Sequence, residues 1–258
     1  STLYTEAMKQ HDLVSYLDSY LQIASFAPID YSLNGLVVGT PDEKEVRTIA
    51  VAVDASLSTF EKAIEERCDF LIVHHGLFWG APIAITEAHY RRVKALMESG
   101  MSLYVAHLPL DAHPEVGNNV QMALALELEE IEPFSPYKGV PIGVSGRLKE
   151  KRDTAWVCDR LGFADATVLP LGKRSCSSVG IVSGGGSDDL SDAIALGLDL
   201  FITGEGKHQA YHEALEAHTT VIAGGHYDTE VFGVRSLGEH LGTRFALDVR
   251  FIANPTGL

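Results

Sequence analysis

The stretch Asp69-Phe-Leu-Ile-Val-His-His-Gly-Leu-Phe-Trp-Gly80 decides how this chain is organised. Its apolar run ends abruptly in two histidines and a glycine, a pattern typical of a buried strand. On a continuing strand His74 and His75 would point to opposite faces. If the strand ends there, both imidazoles can turn toward one point and begin a metal site. The pair alone fits equally well one hydrogen-bonded core histidine beside one exposed histidine.

Strand and helix patterns alternate on both sides of this stretch. The β-compatible run Thr48 to Val53 precedes a helical pattern over residues 57–67, and the strand pattern Leu103 to Ala106 follows the next helix. Alternation of short strands with helices of about ten residues is typical of α/β architecture. The sequence therefore predicts an α/β fold.

The second half of the chain repeats the order of the first. The block Asp199-Leu-Phe-Ile-Thr-Gly-Glu-Gly206 shares its aspartate, its apolar run and its final glycine with residues 69–76. In each half a later strand ends near a histidine that has a carboxylate four residues further on, as His107-x-x-x-Asp111 and as His226-x-x-x-Glu230. Two structural repeats follow from this similarity.

A connector between the repeats is predicted at 132–141, because this segment contains three prolines and one glycine. The first α/β repeat would then comprise residues 1–131 and the second residues 142–258. We expect the two repeats to form one compact unit.

Composition excludes several classes of function. Against 20 Lys and Arg stand 35 Asp and Glu, and the resulting net charge of −15 opposes a DNA backbone, although a bound dication would change the local potential. No apolar run approaches the roughly 20 residues that span a bilayer, and no secretory start is visible. The three cysteines are far apart and are expected to be reduced. We expect a cytoplasmic protein without membrane or nucleic-acid partners.

Convergence of the strand ends would bring eight potential ligands together, because α/β sheets bind ligands beyond the carboxyl ends of their strands. Nitrogen and oxygen ligands suit Zn, Fe, Mn, Co or Ni. Their number is about twice what one ion needs, which favours two ions and hydrolysis. The eight residues are His74, His75, His107, Asp111, Glu205, His208, His226 and Glu230.

Simpler roles exist for individual members of this set. His226 could be a turn residue, Asp111 could cap the following segment, and Glu230 could sit in a first helical turn for dipole reasons. The other histidines lack a partner pattern and are expected at the surface: His11, His89, His113, His212, His218 and His240.

Four motifs together resemble the NIF3-like family, also described as GTP cyclohydrolase 1 type 2 homologues. They are Leu71 to Trp79, His107 to Asp111, Thr203 to His208 and Gly225 to Glu230. The resemblance extends from about residue 10 to the end and is to the short bacterial form, which has no inserted middle domain. It implies two interlocked α/β repeats with mixed sheets, a homohexamer and two divalent metal ions per subunit.

The same resemblance assigns roles to residues. It implies the metal ligands His74, His75, Asp111, His226 and Glu230. It places His107, Lys207 and His208 at further polar positions near the metals. The chain departs from the family at Gln209, where many relatives have a second histidine, so the surroundings of the ligands can differ.

Two hypotheses follow from the sequence. In the first, the protein is a metal-dependent hydrolase of a small molecule, which catalyses purine ring opening and loss of formate as in GTP cyclohydrolase I or the related hydrolysis of another heterocycle, an amide or a phosphoester. Asp111 or Glu230 would bridge the ions, His107 or His208 would move protons, and Lys207 would meet a phosphate. In the second, the protein binds metal without catalysis and serves a regulatory or scaffolding role.

Overall fold

The computed structural model describes residues 7–39 and 43–258. The chain forms two compact units, each made of two chain segments. The first unit comprises residues up to Leu110 together with Val234–Asn254, and the second comprises Asp111–Gly233 together with Pro255–Leu258.

The first unit is built on a five-stranded sheet. Its elements before residue 110 are β1 (Met8–Lys9), α1 (Gln10–Tyr20), α2 (Ile23–Phe26), β2 (Gly35–Val38), β3 (Glu45–Val46), β4 (Thr48–Asp54), α3 (Leu57–Glu65), β5 (Phe70–His75), α4 (Glu87–Ser99) and β6 (Ser102–Val105). The short helix α5 (Leu108–Ala112) then leads into the second unit.

The second unit is built on a six-stranded sheet. Its elements are α6 (Asn118–Ala125), β7 (Glu129–Tyr137), β8 (Val140–Arg152), α7 (Thr154–Leu161), β9 (Thr167–Leu169), β10 (Cys176–Val182), a 3-10 helix (Gly186–Asp189), α8 (Leu190–Ala195), β11 (Leu200–Thr203), α9 (Ala210–Ala217) and β12 (Thr220–Ala223). The helix α10 (His226–Phe245) begins in this unit, and its residues from Val234 belong to the first unit, as does β13 (Asp248–Phe251).

The two sheets share an arrangement of strands. The first has the order β13-β4-β5-β6-β2, and the second has the order β7-β8-β10-β11-β12-β9. Three parallel strands, β4-β5-β6 or β10-β11-β12, are followed in each sheet by an antiparallel strand, β2 or β9. The predicted mixed α/β fold with mixed sheets is confirmed.

Burial explains why the central strands are apolar throughout instead of alternating. Ile49 to Val53 in β4 and Phe70 to Val73 in β5 are at most 1% exposed. Parallel strands that are covered on both faces are expected to have such continuous hydrophobic runs. The helix α3 begins after Ser56, whose hydroxyl accepts a hydrogen bond from the main-chain N–H of Thr59 at 3.2 Å.

The segment expected to be a connector, 132–141, instead forms the end of β7, the turn and the start of β8 in a hairpin. Lys138 and Gly139 lie between the strands with φ values of 47° and 85°. Two consecutive positive φ values give the type of turn that suits a hairpin loop of two residues. The prolines Pro133 and Pro136 lie in β7, an edge strand where a missing N–H is tolerated.

Two further observations concern the cysteines and the helices. The cysteines Cys68, Cys158 and Cys176 are free thiols. Within the described ranges, no helix has both the length and the apolar content needed to cross a bilayer.

Candidate metal centre

Three imidazoles lie together at the carboxyl ends of β5 and β6 in the first unit. His74 and His75 end β5, and His107 follows β6 by two residues. Each offers one ring nitrogen, and these nitrogens all lie within 4.8 Å of one another. His74 is fully buried, whereas His75 and His107 are half-buried. The ring nitrogens of both adjacent histidines therefore lie close together within this unit.

The Nδ1 atom of each of these imidazoles faces an oxygen that can only accept a hydrogen bond. Nδ1 therefore carries the proton, and Nε2 has the lone pair that can bind a metal ion. The three oxygens are Ala106 O for His74 (2.9 Å), Asp54 Oδ1 for His75 (2.8 Å) and Asp30 Oδ1 for His107 (2.9 Å).

A tight turn around Asp30 holds His107. The carboxylate of Asp30 also accepts the main-chain N–H groups of Ser32 and Leu108, both at 3.0 Å, and the amide of Asn34 at 2.8 Å. Asn34 in turn accepts the main-chain N–H of His107 at 2.7 Å. Burial opposes the charge of Asp30, but the hydrogen bonds from His107, Asn34 and Ser32 keep the pKa of Asp30 below its ordinary value.

In the second unit, His226 and Glu230 stand one helical turn apart at the start of α10. His226 Nε2 lies 3.3 Å from Glu230 Oε2, and His226 Nδ1 donates to the carboxylate of Glu205. Glu230 is 3% exposed. With the Nδ1 proton directed at Glu205, a proton or a cation shared by Nε2 and Oε2 would make their close approach favourable.

Asp111 is held by a buried polar network within the second unit. Its Oδ1 accepts the hydroxyl of Ser183 at 2.9 Å and the amide of Asn118 at 3.0 Å. Asn118 also accepts the main-chain N–H of Gly233 at 2.7 Å. Asn119 donates to the carbonyl of Asp111 at 3.3 Å. Asp111 is 6% exposed, so its orientation is set by these neighbours.

The remaining predicted site residues lie on the loop after β11. Lys207 pairs through Nζ with Asp188, and its main-chain N–H donates to the hydroxyl of Ser187 at 3.0 Å. His208 is exposed. Within their unit, Lys207 is therefore paired with an aspartate that sequence reasoning did not consider.

Sequence reasoning missed two supporting carboxylates and misplaced two histidines. Asp54 ends β4 in register with His75, and Asp30 lies in a turn far from His107 in sequence. An aspartate directly after a strand was the only available signal for Asp54. His89 and His113 were expected at the surface, but they are 7% and 8% exposed. His89 packs against Phe78, and His113 accepts two main-chain N–H groups.

The donor chemistry of both units fits a divalent transition metal. Imidazole nitrogens and carboxylate oxygens are the ligands that Zn, Mn, Fe, Co and Ni share. Carboxylates behind the imidazoles are the usual outer partners of metal-binding histidines. The fold and these groups together define a mixed α/β protein whose His, Asp and Glu clusters can bind metal ions.

Comparison with known proteins gives the family. The profile of Duf34/NIF3 (NGG1p interacting factor 3) matches residues 8–256. The chain belongs to this family, which confirms the resemblance seen in its motifs.

Individual relatives span nearly the whole chain. A Deinococcus radiodurans protein named GTP cyclohydrolase 1 type 2 homolog is 42% identical over 250 residues, covering 96% of this chain and 94% of its own. The crystal structure of a Thermus thermophilus protein is 45% identical with a TM-score of 0.89, covering 97% and 100% of the two chains. Protein ybgI, described as of unknown function, is 34% identical with the same TM-score and coverage.

Proposed function

We propose that this protein is a dinuclear metal-dependent hydrolase that acts on a small molecule, with GTP cyclohydrolase-like opening of a purine ring as the leading reaction. The proposed ligands are His74, His75, Asp111, His226 and Glu230. The observation that carries the proposal is the orientation of the imidazoles. In His74, His75 and His226 alike, Nδ1 donates to an oxygen of the same unit, which leaves Nε2 as the atom that would bind a metal ion.

Buried carboxylates support the same ligand set. Asp111 and Glu230 are 6% and 3% exposed, and ionised carboxylates are rarely buried unless they are paired or bind a metal. Glu230 lies next to His226 Nε2, where a shared cation would satisfy both atoms. Two divalent ions, when bound, would activate water and stabilise the negative charge that develops in hydrolysis.

The chain's own residues have distinct tasks in this proposal. His107 is held through Nδ1 by Asp30, so its Nε2 is directed for accepting or donating a proton. His208, which is exposed, is a second candidate for proton transfer. Lys207 would exchange its contact with Asp188 for a phosphate of the substrate. The name of the Deinococcus relative supports a purine nucleotide as the substrate.

A second candidate function is metal binding without catalysis, in a regulatory or scaffolding role. The pairing of Lys207 with Asp188 favours it, because a cation already neutralised by a neighbour is less ready to bind a substrate. The family name does not discriminate between the two functions, since ybgI is described as of unknown function.

The decisive experiment measures bound metal and turnover together. Purified protein is loaded with Zn, Mn, Fe, Co or Ni and assayed for formate release from GTP and for hydrolysis of a phosphoester panel. The variant His74→Ala/Glu230→Ala should lose both metal and turnover. His212→Ala, at an exposed histidine outside the proposed ligands, should keep both. Unchanged turnover in the double variant would refute the hydrolase, and tight metal binding without turnover would support the second function.

We also propose the homohexameric assembly that the family resemblance implies. Light scattering on the eluted protein should give six times the chain mass of 27.9 kDa. A monomer or dimer at micromolar concentration would refute it.

A further inference from the structure

The loop after His75 presents one tryptophan to solvent in a fixed orientation. Leu77 is 5% exposed and Phe78 packs against the core of the first unit, so both anchor the loop. Trp79 is 42% exposed, and its Nε1 donates to the carbonyl of Gly76 at 3.1 Å. The indole is therefore both accessible and oriented by the residue that directly follows the histidine pair.

This indole lies against the imidazole cluster. Its ring centroid is 4.9 Å from that of His107, with the planes at 83°, and 6.1 Å from that of His75. A perpendicular contact leaves much of the indole surface available, as the exposure of Trp79 shows. A flat ring stacked on Trp79 would therefore lie near the imidazole cluster.

A second exposed aromatic residue comes from the turn that holds His107. Tyr31 is 66% exposed and follows Asp30, the carboxylate partner of His107. Tyr31 lies against Gly80, where an added Cβ would be 3.6 Å from its ring and where φ is +83°. The loop after His75 and the turn that holds His107 thus each place an aromatic side chain at the surface.

We propose that Trp79 is the stacking platform for the planar heteroaromatic ring of the substrate, with Tyr31 at the rim. The inference rests on the proposed function and gives it a substrate class: a flat, nitrogen-containing ring such as a purine base. Stacking on an aromatic side chain selects for planarity and accepts any base, because every base has a π face. The edge of the stacked base would lie near His75 and His107.

The composition of the chain makes this proposal testable by fluorescence. Trp79 and Trp156 are the two tryptophans of the sequence. Trp156 belongs to the second unit, on α7, where the guanidinium of Arg152 lies 4.8 Å from its ring centroid. The variant Trp156→Phe therefore has Trp79 as its sole tryptophan reporter, and it should retain wild-type binding and turnover.

In the experiment, metal-loaded Trp156→Phe protein is titrated with GTP, with guanosine and with inorganic triphosphate. We expect saturable quenching by GTP and by guanosine but not by triphosphate. By calorimetry, Trp79→Leu should bind guanosine about tenfold more weakly or worse, whereas Trp79→Phe should recover most of the affinity. Wild-type guanosine affinity in Trp79→Leu, or quenching by triphosphate alone, would overturn the platform.

The outcomes separate this inference from the proposed function. Guanosine binding that depends on Trp79, without turnover of any substrate, would support the platform and refute the hydrolase. Turnover with a KM that is unchanged in Trp79→Leu would refute the platform and leave the hydrolase standing. If Trp79 responds to no small molecule but becomes buried when the protein self-associates, the aromatic surface is an interface and the inference is wrong.

Discussion

Asp69 and Asp199 hold equivalent places in the two units, and each ties three successive parallel strands together at their N-terminal ends. Asp69 Oδ2 accepts the main-chain N–H groups of Arg47 and Thr48 at 2.9 and 3.0 Å, at the start of β4. Asp199 Oδ2 accepts those of Ser177 and Ser178 at 2.9 and 3.4 Å, near the start of β10.

The main chain of each aspartate completes the link. The carbonyl of Asp69 accepts the N–H of Ser102 at the start of β6, and that of Asp199 accepts the N–H of Thr220 at the start of β12. The aspartate shared by the two sequence blocks is therefore structural. Asp69 lies at the opposite end of β5 from His74 and His75, and Asp199 directly precedes β11, so the role of this aspartate in both repeats is strand pairing and not metal binding.

Replacement of Asp199 by asparagine should lower stability in a pH-dependent way. Burial raises the pKa of Asp199, but the contacts with Lys173, Ser177 and Ser178 outweigh it and hold the pKa at about 2. A depressed carboxyl pKa stabilises the fold above the unfolded value near 4, and this contribution is lost as pH falls from about 4 to 2. Denaturant unfolding should show Asp199→Asn about 1–2 kcal/mol less stable at pH 7.

The control for this prediction keeps the carboxylate. Lys173→Gln removes the exposed ion-pair partner at 2.7 Å and leaves the hydrogen bonds from Ser177 and Ser178. Lys173→Gln should lower the free energy of unfolding by less than Asp199→Asn does. The difference in this free energy between Asp199→Asn and wild type should become smaller toward pH 2. Equal unfolding free energies for Asp199→Asn and wild type at pH 7 would contradict the assignment.

Asp189, in the same unit, should behave in the opposite way. Burial, with the nearby charges of Asp192 and Asp188, raises the pKa of Asp189 against the hydrogen bond from Ser135. A raised carboxyl pKa means that the folded state binds more protons, so stability falls as pH rises above about 4. Asp189→Asn should therefore increase the unfolding free energy at pH 7.

Thermal unfolding at pH 4 and pH 7 checks the sign for Asp189. The increase in stability caused by Asp189→Asn should be larger at pH 7 than at pH 4, because the carboxylate of Asp189 is charged at pH 7. A variant that is less stable than wild type at pH 7 would show that the contact between Asp189 and Ser135 matters more than the charge that is removed.

The sequence predicted the elements whose cause is local. The apolar run before His74, the repeated aspartate blocks and the strand–helix alternation are all set by neighbours in sequence, and all are present in the structure. The segment 132–141 was predicted to be a connector, but it belongs to the strands β7 and β8 and their turn. The reason is that proline does not always interrupt a strand. On the edge strand β7, Pro133 and Pro136 can be accommodated, since one side of the strand needs no ladder hydrogen bond.

The supports of the candidate site depend on long-range pairing, which periodicity does not reveal. Asp54 meets His75 because β4 and β5 are parallel and in register, and Asp30 meets His107 across 77 residues of sequence. Likewise β13, near the C-terminus, pairs with β4, so this late segment of the chain belongs to the first unit. A strand pattern predicts that a strand exists, but it does not identify the neighbour of that strand.

Asp54→Asn should weaken metal binding without removing a proposed ligand. The carboxylate of Asp54 accepts the Nδ1 proton of His75 at 2.8 Å, which fixes the ring and makes Nε2 more basic. Removing such a partner typically reduces metal affinity about 10–100-fold. Competition titration with a chromogenic chelator measures the change. Asp159→Asn, at an exposed position on α7, is the matched control and should bind metal as wild type does.

Full metal affinity in Asp54→Asn would show that His75 is not a ligand or is oriented by other contacts. His75→Ala separates these cases. A loss of metal in His75→Ala with none in Asp54→Asn leaves His75 as a ligand and removes the supporting role of Asp54.

Gly184→Ala and Gly185→Ala form a matched pair for the second unit. Gly184 has φ of +63°, and a Cβ there would lie 2.2 Å from Glu230 Oε1 and 3.1 Å from His226 Nε2. Gly185 has φ of −79°, and an added Cβ would meet nothing within 4 Å. Gly184→Ala should lose about 1–2 kcal/mol of stability from its left-handed backbone alone. Gly185→Ala should be neutral or slightly stabilising.

Metal binding distinguishes backbone strain from displacement of Glu230. If Glu230 and His226 bind a shared ion, the methyl group of Gly184→Ala must push the carboxylate away from its position beside His226 Nε2. Metal affinity should then fall at a temperature where both variants are fully folded, and Glu230→Gln should add little to that loss because the same contact is already broken. A different result would contradict this assignment: Gly184→Ala could have a lower melting temperature than Gly185→Ala and yet the same metal affinity. Gly184 would then matter for the fold alone, and Glu230 would no longer be a proposed ligand.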